Sequence, residues 1–203
     1  MKKAVIIFLA VLLIPIFVIS QTIDNLDYIS SFNDGVSAIK KDNQWAFINK
    51  EGDIVVKFRD DLVTTKSDDG NYPIFKNGRC LIVNNKDGIS YFGYINNSGQ
   101  TVIEPQFLNA LNFDNNLAMV LKLNKEIIGR NTALDKNVVY YRYFEVTIDT
   151  NGNVMDYLTQ EGINIVLDKK FMPSPPEFST RLISDNLLAV KNKKRKWTIK
   201  NIN

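Results

Sequence analysis

Few residues in this chain are equipped for chemistry. There is no histidine among its 203 residues. That removes Ser-His-Asp and Cys-His nucleophile systems and nearly all catalytic zinc centres. No Gly-rich phosphate loop and no serine-nucleophile elbow is present, and no motif calls for a cofactor. Carboxylates remain. A glycoside hydrolase needs only two of them, facing each other at about 5 to 9.5 Å, and that spacing is set in space rather than along the chain. Glu104 and Glu145 are the acids that fall within strand-like stretches, so a hydrolase of a surface polymer would draw on them. Asp149-Thr150-Asn151-Gly152-Asn153 has the look of a calcium loop. Its glycine is fourth rather than sixth, however, and Gln160 stands where a bidentate Glu belongs, so a hairpin turn is the better reading and no metal is expected. The Asp68-Asp69-Gly70 tip reads as a solvated turn. Cys80 is the single cysteine, so no internal disulfide can form. It occupies a strand position held elsewhere by Ser37, Ala118 and Leu188, and is expected to be a buried small residue rather than a reactive thiol.

Two stretches could bind rather than react. Lys193, Lys194, Arg195 and Lys196 precede Trp197 and make the most basic run, a patch for an anionic ligand. Its place between two strands makes a solvated hairpin turn the favoured reading, with Trp197 as a core residue. Tyr140, Tyr141, Tyr143 and Phe144 form an aromatic run. In a strand Tyr141 and Tyr143 share one face and Tyr140 and Phe144 the other, so an exposed pair would offer a ligand-binding surface. A protein or a glycan at the cell envelope would be the partner. The formal net charge of +3 is small, and part of it comes from Lys2 and Lys3, so no general attraction to nucleic acid is expected.

Met1-Lys2-Lys3 is followed by an apolar run from Ala4 to Ile19 and a small residue, Ser20. A basic start, an apolar stretch and a small residue describe a secretory signal peptide over 1–20, cut between Ser20 and Gln21. The run is shorter than the ~20 apolar residues needed to span a bilayer, which argues against the alternative of an N-terminal membrane anchor. The mature chain would then be secreted or periplasmic. Its 45% hydrophobic and 11% aromatic content is ample for a core.

The elements that must carry these residues repeat. One submotif is an aromatic or aliphatic residue, a polar turn, and an apolar-small alternation. Its copies are Phe32-Asn33-Asp34-Gly35-Val36, Phe75-Lys76-Asn77-Gly78-Arg79, Phe113-Asp114-Asn115-Asn116-Leu117 and Ile183-Ser184-Asp185-Asn186-Leu187. A second follows each. Its copies are Trp45-Ala46-Phe47-Ile48-Asn49-Lys50-Glu51-Gly52, Phe92-Gly93-Tyr94-Ile95-Asn96-Asn97-Ser98-Gly99, Glu145-Val146-Thr147-Ile148-Asp149-Thr150-Asn151-Gly152, and the shorter Trp197-Thr198-Ile199-Lys200-Asn201. Period-2 alternation and the Asn/Asp…Gly turns predict small β-meanders, with third strands at 53–58, 100–104 and 153–158. No stretch has sustained helical periodicity. The units span about 31–63, 75–112, 113–158 (with an insertion at 123–140) and 182–203. Residues 21–31 are a polar lead-in, 64–72 a polar loop, and 159–181 a Pro-rich connection in which 162–167 has the pattern of an extra strand.

The aromatic-Gly strand, the Ile-Asn turn to Gly, and Glu104-Pro105-Gln106-Phe107 followed by Ala110 and Phe113 resemble the WG (KWG) repeat of bacterial proteins. Phe92 stands for the Trp in the best copy, Ala46 and Thr198 for the Gly in others, and no copy holds an intact Trp-Gly pair. The resemblance implies an all-β array of about four degenerate meanders, often exported, with no catalytic residues to carry over. A small propeller or barrel-like closure is the alternative architecture. The expected function is a non-catalytic binding or scaffold module, and the carboxylate hydrolase is its rival.

Overall fold

The computed structural model describes residues 22–133, 135–184, 187–192, 194 and 196–201, with the side chains of 131 and 136 left undescribed. The expected signal peptide lies outside the described residues. Among them there is no helix, and all the pairing is antiparallel. Strands β1 (Tyr28–Asn33), β2 (Val36–Lys41), β3 (Gln44–Ile48) and β4 (Ile54–Arg59) form one sheet in sequence order. β5 (Thr65–Ser67) and β6 (Gly70–Tyr72) make a small hairpin. A second sheet runs in order through β7 (Cys80–Lys86), β8 (Ile89–Ile95), β9 (Thr101–Ala110), β10 (Ala118–Asn131), β11 (Lys136–Ile148) and β12 (Val154–Tyr157). β13 (Ile163–Ile165), the extra strand anticipated at 162–167, pairs with β11 as its seventh member. β14 (Thr180–Ser184), β15 (Leu187–Lys191) and β16 (Trp197–Asn201) form the last sheet. None of these sheets closes into a barrel, so the array is a succession of meanders.

The repeated residues explain the repeated backbone. Asp34-Gly35, Asn77-Gly78 and Asn115-Asn116 all have positive φ, the requirement of a tight two-residue hairpin turn that Asn, Asp and Gly meet at least cost. In the second turn, the side-chain oxygen of Asn49, Asn96 or Asp149 accepts N–H bonds from the residues two and four places on, at 2.8–3.1 Å. The glycine three residues on, Gly52, Gly99 or Gly152, donates back to the same residue's carbonyl.

Each unit is tied to the next by its outgoing chain. Asp61–Val63 leaves the first unit and pairs with β7, and the C-terminal half of β9 pairs with β10. Leu62 therefore faces Ile82 and Ala110 faces Val120 in equivalent registers. β1 and β14 take that same place in the first and fourth units, where Ile29 faces Ile39 and Thr180 faces Val190. Part of the polar lead-in is thus a strand, because β2 needs a partner on that edge.

Units stack through aromatic rings. Phe75 meets Phe47 edge-on at 4.6 Å between centroids, and Phe113 meets Tyr94 at 4.8 Å. In each pair the leading aromatic of one unit lies on the second-submotif aromatic of the unit before. The turn glycines stack too. A Cβ on Gly99 would touch Val56 at 3.2 Å, and one on Gly152 would touch Ile103 at 3.3 Å. Polar bonds complete the junctions: Gly78 N–H donates to Asp34 at 3.0 Å, Asn116 N–H to Asn77 at 3.2 Å, and Arg59 Nη1 to the Gly99 carbonyl at 3.0 Å. The core accordingly lies between units, in one cluster containing Phe47, Phe75 and Cys80 and another containing Tyr94, Phe113 and Ile148.

Two expectations are corrected, and the 159–181 connection gains a definite place. The 64–72 segment is not a free polar loop. It is the β5–β6 hairpin, folded over the first sheet: Tyr72 is buried against Tyr28, and the Tyr28 hydroxyl donates to the Asp69 carbonyl at 3.0 Å. The 159–181 connection likewise wraps a sheet face, bringing Met172, Leu167 and Phe178 onto Ile89, Leu108, Leu121 and Tyr143. Trp197 is not a core residue. It is 50% exposed, because β16 pairs only with β15 and its other edge is uncovered among the described residues.

Candidate functional site

The array changes its chemistry at the third junction. Aligned by register, Thr147 stands where Phe47 and Tyr94 stack, and Asp156 where Val56 and Ile103 receive the next turn. These two pair with each other: Asp156 N–H donates to Thr147 Oγ1 at 3.1 Å, and the hydroxyl lies 3.4 Å from the Asp156 carboxylate. The incoming side chain is Ile183, where the other junctions insert a phenylalanine, and it stays 52% exposed. Two polar residues and a smaller apolar one cannot fill the space of an aromatic pair. A groove of about 340 Å³ opens there, with Thr147 and Asp156 on its floor and Leu111, Met119, Arg181 and Ile183 on its walls. Its lining contains apolar, acidic and amide side chains and one guanidinium, and no aromatic ring.

Glu145 holds the fourth unit beside this gap. It occupies the place of Trp45 and Phe92, yet its side chain is fully buried. Ser179 donates to Oε1 from its N–H at 2.7 Å and its hydroxyl at 2.5 Å; Thr180 donates to Oε2 from its N–H at 2.8 Å and its hydroxyl at 2.5 Å. A buried carboxylate needs such partners, and hydrogen bonds to a charged acceptor are the strong ones. Both oxygens are therefore engaged in tying β11 to the start of β14. Glu104, the other acid singled out for hydrolysis, is exposed on β9. The side chains of the two acids do not share one setting. Sequence reasoning missed this clasp, although a Glu in an aromatic position of the repeat was its visible trace.

The tyrosine run divides. Tyr143 is 8% exposed and sits in the core under Met172, which corrects its expected place on a binding surface: the 159–181 connection covers that face. Tyr141 is half-buried and lines a shallow hollow of about 480 Å³ with Tyr91, Lys86, Asp87 and Gln106. Tyr140 is half-buried on the opposite face, with the Arg142 guanidinium 5.6 Å from its ring centre. Of the basic patch, Lys193 and Arg195 lie outside the described residues. Lys194 and Lys196 are exposed, and their N–H groups donate to Asn192 Oδ1 at 2.9 and 3.0 Å, which places them on the β15–β16 turn.

Cys80 is buried beneath the first junction, and burial pushes its thiol pKa well above the ordinary range. Asp149 is held below its usual value by the bonds it accepts from Asn153, the signature of an anionic turn acceptor. Among the described residues, no group of three or more His, Cys, Asp or Glu side chains is placed to hold a metal ion.

The family model described as "WG containing repeat" matches residues 25–45 and 92–125. No curated protein matches the chain. Among solved structures, the crystal structure of the computationally designed Ika4 protein is similar at 13% identity over 90% of this chain and 94% of that one, with a TM-score of 0.38. The two matched stretches hold the β1–β2 hairpin and the aromatic-Gly strand with its outgoing chain, which are the parts that recur down the array, and over those residues the chain is similar to the WG repeat.

Proposed function

We propose that this protein is an exported, non-catalytic binding module whose ligand site is the groove at the third junction, and that the ligand is a polypeptide segment presenting an aromatic side chain. One observation carries the reading. At the two preceding junctions the equivalent space is filled by a phenylalanine of the array itself, Phe75 and Phe113, and at the third it is open. The apolar walls suit a ring, Thr147 offers a hydroxyl, and Asp114 and Asp156 against Arg181 favour a segment with basic flanks. A glycan is less well served there, since no aromatic platform lines the groove. Export rests on the basic-apolar-small pattern of residues 1–20. A carboxylate hydrolase is less well supported, because Glu145 is already bound by Ser179 and Thr180.

A displayed random-peptide library selected on the protein tests this directly. Enriched peptides should carry an aromatic residue beside a basic one, and Thr147→Tyr, which refills the groove, should abolish their binding. Equal recovery on the wild type and on Thr147→Tyr would remove the groove from consideration. A second reading assigns a glycan to the Tyr91/Tyr141 hollow, which has two rings beside Lys86, Asp87 and Gln106. Glycan binding lost in Tyr141→Ala and kept in Thr147→Tyr would favour it.

A further inference from the structure

The two ends of the array expose the two halves of its own junction. Phe32 is equivalent to Phe75 and Phe113: each precedes the same two-residue turn, with Asn33 facing Val36, Lys76 facing Arg79 and Asp114 facing Leu117. Phe75 and Phe113 are buried on the unit before them, whereas Phe32 is 48% exposed. The turn glycines agree. Gly99 and Gly152 rest on the preceding unit, and Gly52 would place a Cβ in open space. At the other end, Ile199 faces Ala189 as Phe47 faces Ala38 and Tyr94 faces Leu81. Phe47 and Tyr94 are covered by the next unit, and Ile199 is 65% exposed. The fourth unit also reproduces the first in detail: Lys191 lies over Trp197 at 5.1 Å as Lys40 lies over Trp45 at 5.7 Å.

We infer that the protein associates head to tail with a second copy of itself, the Phe32 face of one molecule docking on the Ile199 face of the next. The contact continues the internal stacking, with Ile199 in the place of the ring that receives Phe75 or Phe113 inside the chain. Among the described residues nothing is stacked on either face, and a repeat unit without a polar cap exposes such a surface. Because the two faces differ, the interface is heterologous and propagates into longer assemblies or a ring. Neither face draws on the groove at the third junction.

The test is sedimentation velocity of the full protein over rising concentration, with Phe32→Asp, Ile199→Asp and their mixture. Both residues are exposed, and circular dichroism of each variant verifies its fold. The wild type should form species that grow with concentration, and each variant alone should stay monomeric. The mixture should form dimers and nothing larger, since Phe32→Asp keeps its tail face and Ile199→Asp its head face. A wild type that is monomeric throughout would overturn the inference. So would association unaffected by either variant, or a mixture that yields no dimer.

Discussion

Replacing Glu145 with Gln isolates the clasp between the third and fourth units, because it keeps the shape of the side chain and removes one acceptor. The carboxylate receives two backbone N–H groups and two hydroxyls from Ser179 and Thr180. In the amide, the NH₂ group must face one of those pairs. The hydroxyl there can turn and accept, but the backbone N–H cannot, so at least one buried donor is left unsatisfied. An unsatisfied buried donor costs about 1–3 kcal/mol, and the loss of charge weakens the remaining bonds, so about 2–4 kcal/mol is expected. The loss should be local. Hydrogen exchange followed by mass spectrometry should show faster exchange across β14–β16 and unchanged protection in β2, β3 and β8, because those strands are held by their own junctions. Urea unfolding should show the fourth sheet melting first. Glu145→Gln with unaltered exchange in β14–β16, or with uniform acceleration over the whole chain, would refute the assignment of Glu145 as the local anchor.

Further outcomes follow from the same geometry. Phe113→Ala should destabilise by about 3–5 kcal/mol in urea titration, as a buried aromatic does, while Phe32→Ala at the equivalent exposed position should stay within about 0.5 kcal/mol in dilute monomer. Gly93→Ala should cost about 1–3 kcal/mol or more, since its Cβ would lie 2.4 Å from the Ile103 carbonyl oxygen. Folded protein should resist alkylation at Cys80 and react fully in denaturant, read by mass. Stability should also fall with alkaline pH. Burial raises the Cys80 and Tyr94 pKa values in the fold, so the unfolded chain loses those protons first. With fewer protons on the unfolded state, stability declines from about pH 8.5 upward for Cys80 and again from about pH 10 for Tyr94. Cys80→Ala should remove the first decline, which denaturant midpoints measured across pH would reveal.

The meander is legible in the residues alone, because its causes are local. Asn, Asp and Gly at the turns and period-2 alternation between them act over a few residues, so the hairpins around Asp34, Asn96 and Asp149 were legible from type and spacing. The repeat also disclosed which aromatics recur, and with them the fold class. Tertiary structure alone decided what each recurring residue touches. Phe32, Phe75 and Phe113 have the same local setting, yet one is exposed and two are buried, since burial depends on whether a unit lies ahead of it. Trp45 and Trp197 diverge in the same way: the first is covered by Tyr28, and the second sits on an uncovered strand. Tyr143 stands on an alternating strand, and the 159–181 connection, folding across that face, is what buries it. The third junction was beyond sequence reasoning for the same reason. Thr147, Asp156 and Ile183 are unremarkable one by one. They open a groove because three separate strands bring them to a place that elsewhere in the array is filled by aromatic rings.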